Sequence, residues 1–144
     1  GNSDRGDDGV GPYVLAGLAR RVPGAALLSS DGEVSGLLEI FASGPELVLV
    51  DAADARSAGL SPGEVLRLDA DDPALAGSGL RASTHALGVA EAIALGRSLG
   101  VLPRRLTVIA IAGSDFSIGT GLSAPVESAA NALIDELEAL LIHA

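Results

Sequence analysis

Cysteine is absent from the 144 residues, and with it go disulfides, thiolate metal sites and cysteine-protease chemistry. Tryptophan and methionine are also missing, and aromatics make up only 2% of the chain, so the core has to be built from Leu, Val, Ile and Ala. All nine basic residues are arginine, and the net charge is −10. That balance argues against nucleic acid, which needs clustered cations to neutralise phosphate. It favours cations or basic protein segments as partners. No apolar run approaches the eighteen or so residues of a membrane span, and no signal-peptide pattern is visible, so no membrane partner is expected. The missing cysteines are compatible with a cytoplasmic protein. What is present in quantity is apolar residue, 48% of the chain, enough for one globular domain over residues 1–144.

The opening segment Gly1-Asn2-Ser3-Asp4-Arg5-Gly6-Asp7-Asp8-Gly9-Val10-Gly11 is a glycine-rich loop that feeds into a helix starting near Pro12. Such loops usually bind phosphate at the helix N-terminus. Here three aspartates face Arg5 alone, so the loop would repel an anion and suits a cation.

Along the chain, Val10, Val14, Leu18 and Val22 repeat every four residues, which predicts a helix stopped by Pro23-Gly24. Ala25 to Ser29 reads as a short buried strand. Val34, Leu37, Leu38 and Phe41 form the apolar face of a second helix. Leu47-Val48-Leu49-Val50 predicts a strand covered on both faces and ending in Asp51. Val65, Leu66 and Leu68 make a further strand after the Pro62-Gly63 turn, and 69–82 reads as loop. A third helix runs from about Ser83-Thr84-His85 to Leu99. Leu106 to Ile111 is the second strong buried strand. Ser123 is positioned to cap a last helix lined by Val126, Ala130, Leu133, Leu137 and Leu140.

Strands alternating with helices predict a three-layer α/β/α sandwich with a mostly parallel, twisted sheet. A helix-entering glycine loop in such a fold follows a strand, so a first strand is expected upstream of Gly1. The chain also begins at a glycine and holds no methionine, which reads as part of a longer product.

Ligands of open α/β sheets bind beyond the carboxyl ends of the strands. Asp8 in the first loop, Asp51 at the central strand end and His85 at a loop-to-helix joint all fall there. Two carboxylates and an imidazole suit Ni²⁺ or Zn²⁺. The positive end of a helix disfavours imidazolium and keeps His85 neutral for ligation, with Ser83, Thr84 or a carbonyl available to its other nitrogen. Each residue also has a plainer reading. Asp51 alone can be a turn residue, the Asp7-Asp8 pair turn chemistry, and His85 an exposed helix start. Asp69, Asp71 and Asp72 read as a solvated loop, His143 as a fraying terminus, and Asp115 as a residue on the same side of the sheet.

Six segments in order resemble the hydrogenase maturation peptidases over nearly the whole chain. They are Gly1-Asn2 with Asp7-Asp8-Gly9-Val10-Gly11-Pro12; Asp31-Gly32 with Gly36-Leu37-Leu38; Leu49-Val50-Asp51-Ala52; Pro62-Gly63-Glu64-Val65; Ser83-Thr84-His85-Ala86-Leu87-Gly88; and Gly121-Leu122-Ser123-Ala124-Pro125-Val126. The resemblance implies an aspartic-type endopeptidase that removes the C-terminal extension of a nickel–iron hydrogenase large-subunit precursor after nickel insertion. It implies that nickel carried by the substrate is recognised by Asp8, Asp51 and His85, with Asp7 a local structural neighbour. Whether the metal also polarises the scissile carbonyl or activates water stays open. The rival classes are a phosphoacceptor receiver domain and a non-catalytic α/β binding module with an acidic cation pocket. A receiver needs a lysine after its last strand, and this chain has none.

Overall fold

The computed structural model describes residues 6–28, 34–71 and 84–143, without the side chains of 57, 84–88 and 143. A single 3-10 turn, Gly6–Gly9, leads into α1 (Val10–Arg21). There follow α2 (Val34–Phe41), β1 (Glu46–Asp54), α3 (Ala55–Ala58), β2 (Val65–Asp69), α4 (Thr84–Leu99), β3 (Arg105–Gly113) and α5 (Ala124–His143).

The strands form an open sheet in the order β1-β3-β2. β1 and β3 are parallel, with Glu46 opposite Arg105 and Asp54 opposite Gly113. β2 runs antiparallel on the other edge of β3, with Val65 opposite Ile111. The expected parallel character therefore holds for one of the two described pairings. The chain leaves β1 at the carboxyl edge, and α3 with the Ser61–Glu64 turn keeps it there. The Gly63 N–H donates to the Ala112 carbonyl (2.7 Å), and the Ala112 N–H to the Glu64 carbonyl (2.9 Å). β2 therefore starts at that edge and has to run back. The link is too short for the crossover that a parallel return would require.

Strand alternation splits the core in two. Leu106, Val108 and Ala110 of β3 pack with Leu37 and Phe41 of α2 and Val89, Ala92 and Ile93 of α4. Ile109 and Ile111 point the other way, against Val10, Val14 and Leu18 of α1 and Val126, Ala130, Leu133 and Ile134 of α5. The result is the expected α/β/α layering, with β3 at its centre. Arg21 closes one side by pairing with Asp135 and, at 3.0 Å, with Glu138; these two carboxylates raise its pKa.

Four expectations about elements need correction. Residues 25–28 are not a strand; Leu27 is partly buried and Leu28 is 54% exposed. Leu47 and Leu49 pack on one core and Val50 on the other, so both faces are partly covered, but none of the four is fully buried and Val48 is 46% exposed. β1 also runs three residues beyond Asp51. The short α3 was not expected. Its signal is Asp54, whose carboxylate accepts the Arg56 N–H at 3.1 Å, with Gly59 at φ +70° as the left-handed stop. The last helix extends to His143. Residues 29–33 and 72–83, with Asp31, Asp72 and Ser83, lie outside the described residues, as does the segment before Gly6.

Candidate active site

The 3-10 turn Gly6–Gly9 is buried at all four positions and packs against β1 and α1. Backbone hydrogen bonds hold it to the loop after β3. The Gly6 N–H donates to the Thr120 carbonyl (3.1 Å), and the Asp7 N–H to the Asp115 carbonyl (2.7 Å). A β-carbon at Gly113, the last residue of β3, would lie 2.6 Å from the Asp7 Cβ, so the turn sits directly on the strand's carboxyl end. That is the edge where ligands of such sheets bind.

The acidic pair is buried here rather than solvated. Asp7 is 0% exposed and Asp8 is 7% exposed. Oδ2 of Asp7 accepts the N–H groups of Ser114 (2.8 Å) and Asp115 (3.0 Å) and the hydroxyl of Ser123 (2.9 Å). Its Oδ1 accepts the Ser123 N–H at 2.7 Å. Ser123 immediately precedes α5, where a cap was expected, and its hydroxyl reaches back across 116 residues to this carboxylate. Asp7 and Ser123 are the residues of the site that sequence reasoning underrated. Their partnership has no local signature.

Asp51 is also buried, at 8% exposure, and one of its oxygens accepts the Ala52 N–H at 2.9 Å. It lies opposite Ala110 in the sheet. Alternation groups it with Leu49 and Ala53, on the face covered by α2 and α4. His85 is the second residue of α4, the helix that packs on β1 over that face, and its imidazole is outside the described side chains. The fold thus brings the elements carrying Asp8, Asp51 and His85 against one strand, β1. Among the described side chains, which do not include the His85 ring, no group of three or more metal-ligating residues stands together.

Two neighbouring features complete the edge. Asp115 accepts from Ser117, whose side chain first and backbone N–H second hold its carboxyl below the ordinary aspartate value. A cleft of about 450 Å³ is lined by Gly6, Gly9, Tyr13, Gly121, Leu122 and Glu127. It belongs to the α1/α5 side, so it does not coincide with the face of Asp51.

An open α/β/α sheet with buried carboxylates toward the carboxyl ends of its strands defines an α/β domain with its binding edge there. Comparison with known proteins narrows it. The family model described as hydrogenase maturation protease matches residues 33–140, and the chain belongs to that family. The family's members are endopeptidases that cleave the C-terminal extension of a hydrogenase large subunit. Among solved structures, the chain is similar to the hydrogenase maturating endopeptidase HybD from E. coli, at 24% identity and a TM-score of 0.76, covering 99% of this chain and 88% of that one. It is also similar to the [NiFe] hydrogenase maturation protease HybD from Thermococcus kodakarensis, at 24% identity and a TM-score of 0.72, over 97% and 93%. A hydrogenase 3 maturation protease gives 25% and 0.65, over 96% and 85%. No curated protein matches. These likenesses remove the receiver and the non-catalytic module as readings of the chain.

Proposed function

We propose that this endopeptidase acts on the large-subunit precursor of a nickel–iron hydrogenase once nickel is in place, and that Asp8, Asp51 and His85 read that metal. The observation that carries the reading is the pair of buried carboxylates, Asp8 and Asp51, on elements packed together at the carboxyl half of β1. Both carboxylates have partners within the protein, and a cation presented by the substrate adds a charge-based interaction during recognition. Nickel belongs to the substrate in this scheme. The three side chains offer oxygen and imidazole donors to that metal, so docking is coupled to metal insertion. We place the reaction in the cytoplasm, in keeping with a cysteine-free chain. No described helix is long and apolar enough to cross a membrane.

The test incubates the protein with precursor, loaded with nickel or free of it, and follows precursor mass. Loss of the C-terminal extension from the nickel-loaded form alone is expected. An unshortened loaded precursor would overturn the activity, and equal shortening of both forms would overturn the metal reading. Asp8→Asn and His85→Ala are each expected to lower processing at least about a hundredfold while far-UV circular dichroism stays unchanged.

A further inference from the structure

We infer that Asp7 is a positioning residue of this peptidase: it clamps the 3-10 turn onto the loop after β3 and the start of α5, and so fixes where Asp8 stands. The inference rests on the proposed role of Asp8.

Three observations carry it. First, Asp7 is completely buried, and both of its carboxylate oxygens are engaged, by three backbone N–H groups and one hydroxyl. A carboxylate accepting that many donors has one place to sit. Second, the donors come from two different segments, Ser114 with Asp115 on one and Ser123 on the other. A single side chain therefore joins the carboxyl end of the central strand to the entrance of the last helix. Third, the backbone on both sides is held as well. Gly6 and Asp7 donate to the Thr120 and Asp115 carbonyls, and Gly6 takes φ +55°, where a side chain would strike the Asp115 carbonyl.

Asp8 is the next residue, with its Cα about 3.8 Å along the chain. With Asp7 fixed at backbone and side chain, little conformational freedom remains for Asp8. The acidic pair thus divides its work: the first carboxylate faces the protein and the second serves the substrate. Asp7 touches no reacting atom on this account; it acts through Asp8.

The discriminating variant is Asp7→Asn. Its amide keeps the shape, but whichever way it turns, an NH₂ group meets a backbone N–H where an oxygen stood. Ser123→Ala removes one of the four hydrogen bonds and serves as the milder variant. In Asp7→Asn, hydrogen exchange at the amides of Ser114, Asp115 and Ser123 should quicken about tenfold or more. The Asp8 carboxyl carbon resonance should shift, with the amides of Ile109 and Ile111 still protected. On nickel-loaded precursor, kcat should fall about tenfold to a hundredfold at unchanged KM, and Ser123→Ala should lie between wild type and Asp7→Asn. Unmoved loop amides and an unmoved Asp8 resonance overturn the inference. So does a loosened loop with kcat intact, or a rise in KM alone. If wild-type protein does not process the precursor, the peptidase reading falls. Exchange and the Asp8 resonance, which need no precursor, then decide by themselves whether Asp7 fixes Asp8.

Discussion

A β-carbon on Gly6 would come within 2.2 Å of the Asp115 carbonyl oxygen and 2.8 Å of Thr120 Oγ1, and φ at this position is +55°. Neither contact is the far end of a flexible chain that moves aside easily. Gly6→Ala is therefore expected to destabilise the fold by about 1–3 kcal/mol, read as a lower urea midpoint, with processing reduced alongside. Glycine at this position was visible in the sequence as part of a loop, but the reason for it was not. The same holds for the acidic pair. Two adjacent aspartates in a glycine frame announce a site without saying which of them is structural. That division depends on Ser114, Asp115 and Ser123, more than 100 residues away. Asp51 was recognised by its place after an apolar run, and it is buried, although the strand continues past it to Asp54.

At the scale of elements, the helices followed from spacing because one buried face is a local property. Val10, Val14 and Leu18 on α1, and Leu37 and Phe41 on α2, are all buried. Strand burial depends on neighbours that the segment itself does not name. Two similar apolar runs were both expected to be buried, yet β3 is the more deeply covered of the two and Val48 of β1 is 46% exposed. Residues 25–28 show the same limit, being apolar without pairing. Central burial has a measurable consequence. Ile111→Ala on β3, at a fully buried position, should lose about 2–5 kcal/mol of stability in denaturant unfolding. Arg67→Ala on β2 breaks an exposed pair with Glu136, 2.7 Å apart, and should change stability by no more than about 1 kcal/mol. Similar losses from both would mean that β3 is not the centre of the core.

The whole molecule is an acidic, lysine-free α/β/α domain, and both properties constrain what its carboxylates do. A small phosphodonor with Mg²⁺ should leave Asp51 unmodified by mass spectrometry, since no lysine is present to hold a phosphoryl group. An aspartyl phosphate at Asp51 would contradict the peptidase assignment of this edge. By itself the sequence determined the class of the fold, the three described strands and four of the five described α-helices. It also determined the exclusion of thiol chemistry and the resemblance that the family match bears out. These are properties of composition, period and ordered motifs, all of them written along the chain. Only the tertiary structure decided that β2 runs antiparallel to β3. It alone supplied the partners of Asp7, expected from the resemblance as a structural neighbour: the N–H groups of Ser114, Asp115 and Ser123 and the Ser123 hydroxyl. Each of those outcomes depends on which distant segments meet, and the hydrogen bonds that settle them join residues far apart in the chain.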